Sequence, residues 1–264
     1  MKILIDKNIP YIEHFFQDYL DDIEYFTDQD FDISKVAEAS IVITRSTYKT
    51  HGKKISNAVK FLCSASTGED HVDKKALDKM NIPYAFSTGA NAVAVREYVF
   101  SVAALLLKEK KIDKSSSTLI IGCGNIGKGV FEALKYFNFN VSSYDPFKPS
   151  TNSNDTIEGY EFISLHVPFT TPSESEYFTE GLFCSSKFEY CVDGATILNT
   201  SRGGVVSEKD FLELDDDRHY IRLISDVFEN EPKVNEDFLN KNLFATPHIA
   251  CLLYTSDAAD DMAS

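Results

Sequence analysis

The sequence predicts an α/β protein of two parallel sheets, a doubly wound sheet preceded by a smaller lobe. Three observations carry this. Residues 115–145, SSSTLIIGCGNIGKGVFEALKYFNFNVSSYD, read as a strand, a glycine turn, a helix and a second strand that ends in an acid. Short apolar runs recur on both sides of that segment, separated by helix-like or turn-rich stretches, which is the spacing of parallel strands joined by crossovers. A chain of 264 residues with 43% hydrophobic and 25% charged residues is long and apolar enough to fill two cores.

In chain order, residues 1–90 carry four runs: KILID, SIVITRS from Ser40, KFLCSAS from Lys60 and IPYAFST from Ile82. They predict a small flavodoxin-like parallel sheet. Ligands of such sheets bind beyond the carboxyl ends of the strands, so Arg45, Ser46, Ser64, Ser66, Thr67 and Gly68 stand where a polar substrate would. Turn chemistry and N-capping also place Ser and Thr there. Residues 91–111, NAVAVREYVFSVAALLLKEKK, have a capping Asn91, apolar positions almost all round and a basic last turn, which predicts a mostly buried helix. With no flexible linker in sight, the passage between the lobes falls here: 1–90 is the substrate lobe and 91–250 the nucleotide domain with its interdomain helix. Later strands are expected at 162–165, 195–199, 221–225 and 243–245, completing six with the two around the glycine turn. Residues 147–160 barely suffice for a crossover, so a short or absent helix is expected. Residues 171–190 read as a helix-and-loop excursion.

The central segment is a dinucleotide cradle of the Rossmann type. Gly122, Gly124 and Gly127 form G-x-G-x-x-G directly after the run Leu119, Ile120, Ile121. The first glycine permits the tight turn, the second lets backbone approach a pyrophosphate and the third lets helix pack on strand. Asn125 and Ile126 open the helix, whose free N–H groups and dipole favour an anion. Asp145 ends the second strand about 20 residues past the turn, where an acid accepts both ribose hydroxyls and repels a 2′-phosphate. NAD, rather than NADP, is the expected cofactor.

The formal charge of −15 leaves no basic surface for nucleic acid or anionic membrane. Five cysteines without C-x-x-C spacing predict neither a disulfide framework nor a metal site, and point to a reduced, cytoplasmic setting. The N-terminal MKILID shows no signal-type apolar region, and the stretch 98–107 is too short to span a bilayer.

Three later strand ends carry unusual polar groups: Arg202 in ILNTSRGGVV, Asp226 and Glu231 in ISDVFENEP, and His248 in ATPHIA. Hydride transfer from a hydroxyl carbon needs a base for the hydroxyl proton, and imidazole titrates nearest neutrality. A neighbouring carboxylate would orient it. A guanidinium holds a 2-hydroxy acid's carboxylate in bidentate geometry that Lys cannot reproduce.

GCGNIG with Asp145, NTSRGG, DVFENEP and TPHIA together resemble the D-2-hydroxyacid dehydrogenase family over the chain up to Ala250. The resemblance implies an NAD-dependent oxidoreductase in which His248 is the acid/base, Glu231 its partner and Arg202 the substrate-orienting cation. It further implies that Asp226 contacts the nicotinamide end and that Thr200 and Ser201 meet the cofactor. Within the family, MKILIDKNIPY, TRSTYK, SASTGEDHVD and GANAVAVREYVFS look most like the erythronate-4-phosphate dehydrogenase branch of vitamin B6 biosynthesis, as does the short link between Lys111 and Thr118. That branch places Ser46 and Ser66 at the substrate, Ser66 standing where it usually has Thr. Arg45 joins them as a phosphate ligand on charge grounds. The expected reaction is oxidation of 4-phospho-D-erythronate. Another acid such as 3-phosphoglycerate, or an NAD-sensing interaction protein on the same fold, stays open. Full-length members are expected to be homodimers. The stretch 251–264, CLLYTSDAADDMAS, is small and acidic, lacks a sustained apolar period, and resembles a translated adapter more than a family sequence. From this, weak or absent activity and a loosened substrate lobe are expected for this chain.

Overall fold

A computed structural model describes residues 1–9, 12–27, 38–46, 48–52, 55–69, 71–148, 157–215, 217, 219 and 220–251. The adapter-like stretch lies outside the described residues from position 252 on. The chain divides into two compact units, the first Met1–Ala90 and the second beginning at Asn91.

The first unit has five parallel strands: β1 (Ile3–Asp6), β2 (Ile23–Phe26), β3 (Ile41–Thr44), β4 (Phe61–Ser64) and β5 (Tyr84–Phe86). Their order is β2-β1-β3-β4-β5, so the chain reverses its direction of travel between β1 and β3. Successive strand side chains alternate between faces: Leu4, Val42 and Leu62 fill one core together with Leu77 of a helix, while Ile3, Ile5 and Ile43 fill another. With both faces covered, the strands read as unbroken apolar runs. β2 is the exception and was not among the expected strands. It is an edge strand with Glu24 and Tyr25 exposed, so IEYF carries too little apolar signal. α1 (Ile12–Phe15), a 3-10 helix (Gln17–Asp22) and α2 (Lys74–Lys79) complete the described elements. Asp73 caps α2 by accepting the Ala76 N–H at 3.0 Å.

The second unit opens with α3 (Ala92–Lys108) and continues with β6 (Thr118–Ile121), α4 (Asn125–Tyr136), β7 (Val141–Tyr144), β8 (Phe162–Leu165) and α5 (Ser185–Phe188). β9 (Thr196–Asn199), α6 (Glu208–Leu212), β10 (Arg222–Ser225), α7 (Glu236–Lys241) and β11 (Phe244–Ala245) follow. The six strands are all parallel in the order β11-β10-β9-β8-β6-β7, a doubly wound sheet whose direction of winding reverses between β6 and β8. α3 buries a stripe through Val95, Tyr98, Val99, Val102 and Leu106, the helical spacing of one face. Val93 and Leu105 are exposed, so the helix is not apolar-packed all round. Asn91 sits at its N-cap without a side-chain cap bond, unlike the expected cap. The parts of the β7–β8 crossover that are described, up to Lys148 and from Ile157, contain no helix; residues 149–156 lie outside the described residues. Among the described residues no helix is long and apolar enough to cross a membrane, and no group of His, Cys, Asp or Glu is arranged to hold a metal ion.

Candidate active site

Parallel register lines up the strand ends of the second unit. Ile121 pairs with Tyr144 and Leu165, Leu165 with Asn199, Asn199 with Ser225, and Ser225 with Ala245. The next residue along each strand is therefore Gly122, Asp145, His166, Thr200, Asp226 or Thr246. The carboxyl edge of this sheet thus presents Asp145, Thr200 and Asp226, with Arg202, Glu231 and His248 three to six residues past their strand ends.

The glycine turn is sterically obligatory. Gly122 has φ +88°, and a β-carbon on it would lie 2.3 Å from the His166 carbonyl oxygen. One on Gly127 would lie 1.9 Å from the Gly122 carbonyl oxygen, so α4 meets β6 at backbone contact. Above Gly124 nothing lies within 4 Å, leaving room for a ligand group over the first turn of α4. The helix's own bonding starts with Lys128 N–H to Gly124 O at 3.1 Å, so the amides of Asn125, Ile126 and Gly127 have no intrahelical partner. Asp145 is drawn to this turn: its carboxylate accepts the Cys123 N–H at 2.9 Å and the Phe147 N–H at 3.0 Å. Lys148 reaches the Cys123 carbonyl. Three helix amides without an intrahelical partner, an open glycine and a carboxylate beside them fit the pyrophosphate and adenine ribose of NAD.

On the other side of the sheet, Asn199 shapes the loop that carries Arg202. Its Oδ1 accepts the Ser201 N–H and Oγ–H at 3.1 and 2.6 Å, and its Nδ2 donates to the Arg202 carbonyl at 3.0 Å. A β-carbon on Gly203 would lie 1.9 Å from the Phe228 carbonyl oxygen, which explains why glycine follows Arg202 where this loop touches the next. That next loop is tied to α6: Glu208 and Glu229 each accept the other's backbone N–H, at 2.8 and 3.0 Å.

His248 and Glu231 meet at 2.7 Å through Nδ1 and Oε2, with side chains 39% and 33% exposed, close enough to solvent for a substrate to reach Nε2. Glu231 also accepts the Phe228 N–H at 2.8 Å, which holds its carboxylate in place. The hydrogen bond that His248 Nδ1–H donates to Glu231 raises the pKa of His248 above the ordinary imidazole value, against burial and the nearby Arg202 charge. Burial works to raise the Glu231 carboxyl, but His248, the Phe228 amide and Arg202 together hold it below the usual range. His248 itself has φ +53°, in the left-handed region. Asp226, 1% exposed, turns its carboxylate toward the segment around His248: Thr246 Oγ1 donates to it at 2.6 Å, Ile249 N–H at 2.8 Å and Ala250 N–H at 3.0 Å.

Residues 103–250 match the family described as D-isomer specific 2-hydroxyacid dehydrogenase, NAD binding domain. The chain belongs to this family. Its members are NAD-dependent oxidoreductases. The chain is 33% identical to erythronate-4-phosphate dehydrogenase of Acinetobacter baumannii (strain ACICU), over 95% of this chain and 71% of that one. It is 34% identical to the enzyme of that name from Shewanella baltica (strain OS223), over 95% and 68%. Among solved structures, it resembles D-lactate dehydrogenase from Aquifex aeolicus with NAD and lactic acid (TM-score 0.75, 19% identity, 99% of this chain and 97% of that). It also resembles NAD+-bound 3-phosphoglycerate dehydrogenase of Entamoeba histolytica (TM-score 0.76, 22% identity, 99% and 94%). These two likenesses speak for the fold.

Not every singled-out residue of this dehydrogenase chain points outward. Thr200 and Ser201 are buried, the former 3.5 Å from His166 Nδ1 and the latter bonded to Asn199. His166 escaped the sequence reading. It directly follows β8, Ser164 Oγ lies 2.9 Å from its Nε2, and burial pushes its pKa down to about 3, which favours the neutral imidazole. The signal was available in SLHVP, a histidine one step past an apolar strand.

The first unit has its own polar edge. Arg45 follows β3 and its Nε donates at 2.9 Å to Asp6, which is fully buried at the end of β1. Ser46 N–H donates to Ser66 Oγ at 2.7 Å, so the two predicted substrate serines are neighbours. Ser64 lies beneath, its hydroxyl against His71 Nε2 at 2.8 Å and accepting the Ser66 N–H at 3.2 Å. Thr67 and Ser87 tie β4 to β5 through backbone carbonyls.

Proposed function

We propose that this protein oxidises 4-phospho-D-erythronate at its 2-hydroxyl, giving 3-hydroxy-2-oxo-4-phosphooxybutanoate, with NAD as hydride acceptor. The observation that carries the chemistry is the His248–Glu231 pair at 2.7 Å beside Arg202, on the same sheet edge as the glycine turn. NAD supplies the hydride acceptor when bound. Gly124, the first amides of α4 and Asp145 bind its phosphates and ribose, with Thr200, Ser201 and Asp226 toward the nicotinamide end. Arg202 holds the substrate carboxylate and draws electron density from the oxygen that becomes a carbonyl. His248 Nε2 accepts the hydroxyl proton, and Glu231 keeps Nδ1 protonated and stabilises the imidazolium that results. Glu231 raises the His248 pKa, so the imidazole keeps its proton to higher pH than an unpaired one would. Oxidation is therefore favoured as pH rises through that pKa, and the reverse reduction as it falls.

Ser46, Ser66 and Arg45 bind the polar tail of the substrate, Arg45 facing the phosphate. Identity to the erythronate-4-phosphate dehydrogenases over 95% of the chain supports the choice of acid, since it extends well beyond the 103–250 core. The test is NADH formation with 4-phospho-D-erythronate, 3-phosphoglycerate and their unphosphorylated counterparts. A higher kcat/KM for 3-phosphoglycerate would replace the substrate and keep the mechanism. No turnover with any of them, despite NAD binding, would favour an NAD-sensing interaction role.

A further inference from the structure

Tyr98 lies on α3, 6% exposed and packed in the core with Val95, Val99 and Val102. Its hydroxyl is 2.6 Å from Thr246 Oγ1, across 148 residues of chain. Thr246 Oγ1 in turn donates to Asp226 at 2.6 Å. A threonine hydroxyl has one proton. Since that proton goes to the carboxylate, the contact with Tyr98 has Tyr98 as donor, and the line runs in one direction: Tyr98 to Thr246 to Asp226. Asp226 then accepts the Ile249 and Ala250 amides, the two residues after His248. Thr246 also takes the His248 N–H on its carbonyl at 2.9 Å. His248 is thus gripped on both sides of its left-handed backbone by one hydrogen-bonded line anchored in a buried helix.

We propose that Tyr98 and Thr246 are positioning residues for His248, acting through Asp226 to hold the imidazole against Glu231. This rests on the reading of His248 as the proton carrier. A buried carboxylate persists as an anion only where donors compensate its lost hydration. For Asp226, burial favours the neutral form, and the Thr246 hydroxyl with the two amides opposes it. The charged groups that act on the His248 imidazole are Glu231, Asp226 and Arg202, and the Cys251 thiol lies 3.9 Å from the His248 carbonyl. Of these, Asp226 is the one whose charge the line controls. Weakening the line therefore makes Asp226 less able to stay charged and support the imidazolium, and loosens the segment that carries it.

The test uses Tyr98→Phe, Thr246→Val, Thr246→Ser and the double variant Tyr98→Phe/Thr246→Val in the 264-residue chain. The first readout is the pH midpoint of the His248 imidazole by NMR, without cofactor or substrate, alongside thermal unfolding. The second is the pH–rate profile. Thr246→Val is expected to lower the His248 midpoint and to reduce turnover about 10- to 100-fold, the range for a hydrogen bond to a charged group. Tyr98→Phe gives a smaller shift and about a 3- to 10-fold loss, the range for a neutral bond. Thr246→Ser restores both, and the double variant is no worse than Thr246→Val, because both act on one line. An unmoved midpoint in both Tyr98→Phe and Thr246→Val, with only the unfolding temperature changed, overturns the proposal. If Thr246→Val does not fold, the midpoints of Tyr98→Phe and Thr246→Ser decide. A midpoint that moves as expected while His248→Ala keeps full turnover would uphold the positioning and refute His248 as proton carrier.

Discussion

Gly127 and Gly124 are three residues apart, yet replacing each by alanine is expected to damage different properties. At Gly127 the added carbon would stand 1.9 Å from the Gly122 carbonyl oxygen, 3.1 Å from its carbon and 3.3 Å from His166 Cβ. The first contact is 1.1 Å inside the 3.0 Å that real β-carbons essentially never cross, and its partner is backbone. α4 must then back away from β6. Overpacking of this kind costs about 1–3 kcal/mol, or about 2–12 °C of unfolding temperature at 2–4 °C per kcal/mol for a unit of this size. At Gly124 the added carbon meets nothing within 4 Å, so the free protein should unfold at its original temperature. The loss appears with cofactor. NAD at 100 times its Kd stabilises by about 2.7 kcal/mol, about 5–11 °C on the same scale, and Gly124→Ala should forfeit most of that increment because its methyl occupies the space over the helix amides. The assay is thermal unfolding of both variants with and without NAD, with calorimetric titration for affinity, since the chain has no tryptophan to report binding. A Gly124→Ala protein that melts early without NAD, or keeps the full NAD increment, refutes this division of labour between the glycines.

Four further outcomes follow from the site. Asp145→Ala should weaken NAD about tenfold or more and narrow the preference over NADP, one charge-assisted contact being lost; paired cofactor titrations with unchanged NAD affinity would remove its ribose role. His248→Ala should lower turnover by about two to four powers of ten with NAD binding nearly intact, as read from steady-state rates beside calorimetry. Glu231→Gln should move the rise of oxidation rate to lower pH, because the carboxylate is what raises the His248 pKa; an unshifted pH–rate profile contradicts the pairing. Arg45→Ala should weaken phosphorylated acids about 10- to 100-fold, and more than unphosphorylated ones. Because Asp6 is fully buried against Arg45, that variant should also melt earlier; equal losses on both acids would leave Arg45 a purely structural partner of Asp6.

Much of this architecture was legible because parallel strands covered on both faces must be apolar throughout. TLII, FISL and TILN announce themselves in a way that the edge strand IEYF, with Glu24 and Tyr25 in solvent, does not. The candidate catalytic set was legible for a related reason: Arg202, Glu231 and His248 fall three to six residues past such a strand's carboxyl end. What stayed hidden depends on partners far apart in the chain. Nothing local to Tyr98 marks its hydroxyl as Thr246's partner, and an apolar stripe on α3 reads simply as core. His166 was passed over because the run before it was read only for its burial. The bonds of Asp226 to Thr246, Ile249 and Ala250 were hidden too, since no periodicity reveals the direction of a carboxylate.

The left-handed backbone at His248 sets folding against function. A residue with a β-carbon held at φ +53° costs about 1–2 kcal/mol relative to one without. Glycine is the residue that the turn itself would select, and the neighbouring Asp226 bonds would then hold a loop free of strain. The chain retains histidine at the position where backbone stability alone argues most directly for its removal. Selection for thermal stability without selection for turnover should therefore erode this dehydrogenase at its proposed proton carrier, and survivors of such a selection should carry His248→Gly before they carry changes in the surrounding sheet.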